Sequence, residues 1–391
     1  MAQYNFDEII DRSGTNCIKY DFIGDYFGEN NLIPMWVADM DFRTPDFVMD
    51  AIRTRASHEI LGYSKRPDSF YDATIQWYRR RQNWTIEKEW IIFTPGIVPA
   101  LYFAVRAFSD SGDKVIIQPP VYHPFFSVIS SNQRQVLMNP LKLRKNKYFM
   151  DFENLENIID RETKLLILCH PHNPVGRVWS AEELTQLGII CKKNGIIIIS
   201  DEIHSDLVLP GFKHTPLASL EGNFRDITTT CIAPSKTFNI AGLSTSLVII
   251  PDPDLREKFK YEIENSHLWL GNIFGNVALE AAYTSGDEWL DQLLVYLQQN
   301  FSFLEGYLKQ FIPEIKLITP EATYLAWLDM RDFKLPDSDL KDFMIRKAGL
   351  ACNDGASFGK EGHGFQRMNI ACPKALLEKA LHQLRIAVNS L

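Results

Sequence analysis

Lys236 lies in Ala233-Pro234-Ser235-Lys236-Thr237-Phe238-Asn239, directly after the β-branched run Ile227-Thr228-Thr229-Thr230-Cys231-Ile232. The pattern predicts a strand that ends by delivering a lysine into a polar turn. A primary amine held there can condense with an aldehyde. Taken alone, a solvated lysine in a loop is the commoner explanation. Four upstream stretches change that weighting, because each ends a predicted strand on a polar group. Thr94-Pro95-Gly96-Ile97-Val98 is a glycine turn opening a helix. The free amides of Gly96, Ile97 and Val98, with the positive end of the helix dipole, can hold a phosphate. Tyr122, in Pro119-Pro120-Val121-Tyr122-His123-Pro124, offers a ring to stack on a flat heteroaromatic system. Otherwise it is a core tyrosine in a rigid turn. Asn173, in His170-Pro171-His172-Asn173-Pro174-Val175-Gly176, offers an amide that can donate to a phenolic oxygen. Asp201 follows four isoleucines and a serine, so its carboxylate lies in low dielectric and needs a partner. A protonated pyridine nitrogen would serve, and a helix cap is the alternative. Ser235 adds a hydroxyl for phosphate. An aldehyde, a phosphate, a phenolic oxygen and a pyridine nitrogen on one flat ring describe pyridoxal 5′-phosphate. A metal is not expected, because His170 and His172 alternate without an acid nearby.

The elements that must position these groups alternate through the middle of the chain. Strands are predicted at Trp90 to Phe93, Lys114 to Gln118, Lys164 to Cys169, Gly195 to Ser200, Asp226 to Ile232 and Ser244 to Ile250. Amphipathic helices separate them, with one at Val98 to Phe108. Short apolar strands alternating with helices indicate an α/β fold with a mostly parallel sheet. Ligands of such sheets bind beyond the carboxyl ends of the strands, where the five polar groups fall. A helical region runs from about Asp254 through Phe311. Beyond Pro313 the pattern changes to a smaller α+β unit. Its strands are predicted at Lys316 to Thr319, Tyr324 to Leu328 and Phe365 to Ala371, and its helices at Asp339 to Lys347 and Lys374 to Asn389. The division expected is a large domain at 46–289, with 1–45 and 290–391 forming the small one.

The 391 residues, 46% hydrophobic and 23% charged, are enough for a full globular core in two or three domains. A net charge of −8 argues against a nucleic-acid or anionic-membrane surface. Arg79-Arg80-Arg81 is the longest basic run and is expected on a solvated helix face. The N-terminus lacks the basic start and apolar stretch of a signal peptide. No apolar run is long enough to span a bilayer. Six scattered cysteines form no Cys-x-x-Cys pair. They read as reduced, mostly buried thiols of a cytoplasmic protein.

Asn173-Pro174-x-Gly176, Asp201-Glu202-x-x and Ser235-Lys236-x-Phe238, in this order and spacing, resemble the fold-type-I pyridoxal-phosphate enzymes, the aspartate aminotransferase superfamily. The resemblance covers essentially the whole chain. Pro34 to Phe42, Asp201 to His204 and Arg367 to Pro373 resemble more narrowly the MalY/PatB-type cystathionine β-lyases, also called cysteine-S-conjugate C–S lyases. That resemblance implies a role for each matching residue. Lys236 links to the cofactor and later removes the substrate Cα proton. Asp201 pairs with the ring nitrogen, Asn173 contacts the ring oxygen and Tyr122 stacks on the ring. Lys236, Tyr122 and Asp201 are thus the catalytic candidates. Gly96, Ile97, Val98 and Ser235 hold the phosphate. Tyr63 reaches the phosphate of a neighbouring subunit, which implies a homodimer with shared active sites. Arg367 pairs with the substrate α-carboxylate, and Trp36 with the Tyr122-His123 corner is a candidate pocket wall. One position departs from the wider superfamily: His204 stands where many aminotransferases carry tyrosine. It counts as a cofactor-site candidate supporting Asp201.

The reaction implied is β-elimination from L-cystathionine or other S-substituted cysteines, giving thiol, pyruvate and ammonia. Two alternatives stand beside it. An aminotransferase would return the proton from Lys236 to the cofactor carbon. A non-catalytic cofactor-binding regulator would need no turnover, but the chain has no room for a DNA-binding domain before Trp36.

Overall fold

The computed structural model describes residues 3–391. Its centre is a seven-stranded sheet. In chain order the strands are β1 (Ile91–Thr94), β2 (Lys114–Ile117), β3 (Gln135–Met138), β4 (Thr163–Cys169), β5 (Ile197–Asp201), β6 (Thr228–Ile232) and β7 (Ser246–Ile249). They lie in the spatial order β1-β7-β6-β5-β4-β2-β3. All neighbours pair in parallel except β7, which runs antiparallel to both β1 and β6. A mostly parallel sheet was expected. The reversal of β7 has a local correlate: residues 233–245, which join it to β6, hold one 3-10 turn and no α-helix of the kind that usually carries a parallel crossover. The edge strand β3 escaped the sequence reading because it is only half buried and carries no β-branched run.

Both faces of the sheet are covered, as a parallel sheet requires. Ile167, Ile199, Cys231 and Val248 face one layer, containing α1 (Ile97–Phe108), α2 (Pro124–Ser131) and α3 (Pro253–Asn265). Leu166, Leu168 and Ile198 face the other, with Trp179 and α4 (Ala181–Lys193). Side chains alternate along a strand, so Asp201 shares the face of Ile199 and points to the side that carries the start of α1.

The long helical region resolves into α3, α5 (Ile273–Ser285) and α6 (Asp287–Phe311). The break before α5 contains Gly271, at φ +70°, where an added Cβ would meet the Phe93 ring at 2.4 Å. The expected solvated face at Arg79-Arg80-Arg81 is corrected in part. Arg80 bonds Asp287 at 2.8 Å and Arg81 bonds Asp291 at 2.8 Å, so two of the three fasten their helix (Asp68–Gln82) to the start of α6. Beyond α6 lies a four-stranded antiparallel sheet of β8 (Lys316–Leu317), β9 (Leu325–Asp329), β10 (Asn353–Asp354) and β11 (Phe365–Asn369), ordered β8-β9-β11-β10. The final helix, α7 (Lys374–Val388), packs on α6.

Buried charge ties these parts together. Glu321, 2% exposed, accepts from Arg177 Nη1, from Lys147 at 2.6 Å and from the Val178 amide at 2.9 Å. Arg177 closes the turn that carries Asn173, since the His172 amide donates to its carbonyl. The N-terminal arm forms a second cluster. Arg12 bonds Asp39 at 2.7 Å and Asp41 at 2.6 Å, and the buried Lys19 bonds Asp41 at 2.8 Å. Asn239 of the large sheet's side and Asn369 of β11 then hold the backbone at 37–42 from both flanks.

E321A removes one of the two carboxylates on the buried Arg177, leaving Glu183 alone, and strips Lys147 and the Val178 amide of their acceptor. The expected loss is about 3–5 kcal/mol of folding stability, read by urea unfolding against the parent. A loss within about 0.5 kcal/mol would show that this joint carries no weight.

Candidate active site

The carboxyl ends of β1, β4, β5 and β6 open onto one cavity of about 390 Å³. The reversed β7 contributes its leading end, Ser244, Thr245 and Ser246. The far wall comes from the other unit: Trp36, Val37, Ala38, Asn353 and Arg367. The structure gathers Gly96, Ile97, Val98, Tyr122, Asn173, Asp201, His204, Ser235, Lys236, Arg367 and Trp36 around this single space. Tyr63 is not among them; it stands 97% exposed.

At one end, α1 starts at Ile97 with Gly96 as its cap residue and no side chain capping it. Gly96 has φ +153°, which a glycine tolerates and other residues rarely adopt. The amides of Ile97 and Val98 have no partner among the described residues. Together with the dipole of a 12-residue helix and the Ser235 hydroxyl, they could hold a phosphate.

Asp201 is 3% exposed. The only hydrogen-bond donor to its carboxylate among the described residues is the Ile203 amide, at 3.2 Å, and no cation lies in ion-pair range. Cys169 and Cys231 flank it on the neighbouring strands. Burial pushes its carboxyl up to about 7; the Ile203 amide and the Lys236 charge oppose this, while Glu202 adds to it. Lys236 Nζ donates to the Ala38 carbonyl at 2.7 Å. Burial pushes this amine down to about 8, helped by Arg367 and opposed by Asp39 and Asp201. Arg367, 3% exposed, donates to Asn173 Oδ1 at 3.1 Å, to the Trp36 carbonyl at 3.0 Å and to Asn353 Oδ1 at 2.5 Å. Burial pushes it down to about 10.

The remaining candidates are placed as follows. Tyr122 lies edge-on to Phe125 and to His123, and burial raises its phenol. Asn173 spends its carbonyl oxygen on Arg367, and its amide nitrogen has no partner among the described residues. The Trp36 ring turns away to donate to the Lys19 carbonyl at 3.1 Å and to pack on Tyr26 and Phe27, so it is the Trp36 backbone that serves Arg367. His204 lines the cavity but makes no hydrogen bond to Asp201, and its Nδ1 is unpaired. No direct hydrogen bond to Asp201 therefore accompanies its place in the cavity. Burial pushes His204 down to about 3, with Lys236 and Arg367 acting in the same sense, so it is a neutral imidazole. His170 and His172 spend their Nε2 atoms on the carbonyls of Thr215 and Pro120. No group of three metal-ligating side chains forms among the described residues. No helix among them is long and apolar enough to cross a membrane.

Two contributors had no sequence signal. The Ala38 carbonyl reaches Lys236 because the arm folds over the cavity. Asn353 reaches Arg367 because β10 pairs with β11 in the register Asn353↔Arg367.

The cavity thus holds a buried carboxyl without a cation, a guanidinium without an anion, a softened amine and a bare helix start. These fit pyridoxal 5′-phosphate with an amino-acid substrate. The ring nitrogen would supply the cation for Asp201, the aldehyde would meet Lys236, the phosphate would meet α1, and a carboxylate would meet Arg367.

The aminotransferase class I and II family model matches residues 30–384. The chain is 44% identical over 386 residues to "Cystathionine beta-lyase PatB" of Bacillus subtilis (strain 168), spanning 98% of this chain and 100% of that protein. Cystalysin from Treponema denticola, solved with a pyridoxal 5′-phosphate cofactor, superposes with a TM-score of 0.97 at 36% identity, covering 100% of both chains. The PLP-bound C-S lyase from Staphylococcus hominis gives a TM-score of 0.90 at 37% identity, covering 99% of this chain and 98% of that one. With a match over nearly its whole length, the chain belongs to the aminotransferase class I and II family.

Proposed function

We propose that the chain is a pyridoxal 5′-phosphate-dependent carbon–sulfur lyase. It eliminates thiol from L-cystathionine or related S-substituted cysteines, and one water hydrolyses the remaining three-carbon fragment to pyruvate and ammonia. The observation that carries this reading is the meeting of Lys236, Asp201 and Arg367 at one cavity, each without an opposite charge in contact. Whole-length similarity to a protein named cystathionine beta-lyase supports the choice of elimination.

The amides of Gly96, Ile97 and Val98 and the Ser235 hydroxyl would hold the cofactor phosphate. Asn173 would meet the ring oxygen, Tyr122 the ring face, and Lys236 the aldehyde carbon. When bound, pyridoxal 5′-phosphate supplies an aldehyde for the substrate amine and a cationic ring that draws electrons from Cα. Asp201 would hold a proton at the ring nitrogen, and its burial would strengthen that pairing. Arg367 grips the α-carboxylate and so presents Cα to Lys236. Lys236 Nζ then takes the Cα proton. A base must be neutral, and burial brings this amine close enough to neutral pH to serve. The thiolate leaves without strong acid assistance, because thiols are acidic leaving groups. His204, held neutral, adds an aromatic wall without a charge.

The division we propose is a cofactor-binding domain at 46–289 and a smaller one from 1–45 and 290–391. The seven-stranded sheet falls in the first and the four-stranded sheet in the second. We also propose a cytoplasmic homodimer. The six cysteines are all free, which suits a reducing compartment. Ile60, Leu61, Tyr63, Tyr261 and Trp269 are exposed apolar groups. Arg66 draws two of these segments together by donating to the carbonyls of Trp269 and Leu270. A second copy covering this surface would bring Tyr63 to the neighbouring phosphate.

Three outcomes test this reading. Holoenzyme given L-cystathionine and no keto acid should release pyruvate and thiol continuously in equal amounts; a burst of one turnover per site would indicate an aminotransferase instead. Cofactor-free protein should capture pyridoxal 5′-phosphate at a rate that plateaus above pH 8, where Nζ is neutral. Below that the rate should fall about tenfold per pH unit. A rate flat down to pH 6 would mean that another group reacts. Light scattering should return a dimer, and a fully active monomer would contradict the shared site.

A further inference from the structure

Three oxygens surround the Arg367 guanidinium, and all three are neutral: Asn173 Oδ1, the Trp36 carbonyl and Asn353 Oδ1. Its Nε has no partner, and no carboxylate lies in ion-pair range among the described residues. The Phe358 ring, 5.0 Å from the guanidinium carbon, adds only a cation–π contact. An arginine taken out of water is ordinarily paired, because its desolvation is otherwise uncompensated. The chain pairs its other deeply buried arginine, Arg177, with Glu183 and Glu321. At Arg367 the opposite position on the adjoining strand is Asn353. An amide stands there where a carboxylate of the same size and shape would satisfy the guanidinium. Asn353 also lines the cavity. With its oxygen committed to Arg367, its amide nitrogen is left as a donor without a partner among the described residues.

We propose that Asn353 is a specificity-determining residue for the substrate α-carboxylate. Its Oδ1 orients the Arg367 guanidinium without cancelling its charge, and its Nδ2 donates to the incoming carboxylate. The inference rests on the reading that Arg367 receives that carboxylate. A negative charge at position 353 would close the ion pair inside the protein, and the substrate would then meet a neutral, occupied site. The amide therefore trades stability of the empty site for affinity toward the substrate.

The test titrates holoenzyme with two small amines, followed by the visible absorption of the cofactor. Glycine carries the amine and the carboxylate but no Cβ from which to eliminate; methylamine carries the amine alone. In the parent enzyme glycine binds the tighter. In N353D the Kd for glycine should rise roughly 30-fold or more. The Kd for methylamine should stay within about threefold, and the thermal midpoint should hold or rise as the buried arginine gains a partner. N353A, which removes both the Oδ1 that orients Arg367 and the Nδ2 donor but adds no charge, should weaken glycine about tenfold and spare methylamine. Unchanged glycine affinity in N353D overturns the proposal. So does equal weakening of both amines together with a lowered midpoint, which marks a purely structural role. R367L separates this inference from the reading beneath it. If R367L still prefers glycine, the assignment of Arg367 fails; if R367L loses the preference and N353D keeps it, only the role of Asn353 fails.

Discussion

Desolvated charge at the carboxyl edge of one sheet is the constraint on which the molecule depends. Lys236, Asp201 and Arg367 are each removed from bulk water, and none meets an opposite charge in contact. Each is therefore displaced from its ordinary protonation: the amine to about 8, the carboxyl to about 7 and the guanidinium to about 10, with burial the largest cause in every case. Elsewhere the same chain pairs its buried charges closely, in the Arg12-Lys19-Asp39-Asp41 cluster of the arm and in the Lys147-Arg177-Glu321 joint. The buried carboxyls of Asp206 and Glu202 also lack a cation, but Asp206 accepts from Trp77, Gln82 and Thr237 and Glu202 from Ser200 and His214, whereas Lys236, Asp201 and Arg367 face the cavity. A ligand carrying the complementary groups recovers that desolvation cost on binding, and perturbed titration in a cleft marks a site of chemistry.

The scaffold explains how such groups can be held apart yet close. Parallel strands all end at one edge, so successive turns deliver Gly96, Asn173, Asp201 and Lys236 into a common space. The reversed strand β7 seals the remaining gap with the hydroxyl residues Ser244, Thr245 and Ser246. The opposite wall is less local. Ala38 and Trp36 belong to the arm, Asn353 and Arg367 to the small sheet, and both are fixed by Asn369, which bonds the carbonyls of Val37 and Asp39. The arm and the small sheet therefore meet the large sheet at the cavity, and a shift of the arm would alter the Lys236 and Arg367 contacts together.

The near wall was legible in local pattern, whereas on the far wall Arg367 and Trp36 were reached through family resemblance and Ala38 and Asn353 not at all. Residues such as Asp201 and Lys236 were legible because a β-rich run followed by a polar turn is a local pattern. The helix start at Gly96 was legible for the same reason. Asn353 was not, because its value comes from sheet register with Arg367 across 14 positions of chain. The Ala38 carbonyl was not, because any residue supplies a carbonyl and only the arm's path places it. His204 was singled out because it stands where many aminotransferases carry tyrosine, and it lines the cavity without bonding Asp201. Tyr63 was read from resemblance alone, and a single chain leaves it in solvent. The direction of β7 goes with the absence of an α-helix in its connection to β6, which hydrophobic pattern does not encode.

The most direct test of the central claim is chemical. Holoenzyme reduced with borohydride and digested should carry the cofactor on the peptide containing Lys236 and on no other lysine. Label on a different lysine, or no label at all in fully loaded protein, would contradict the account.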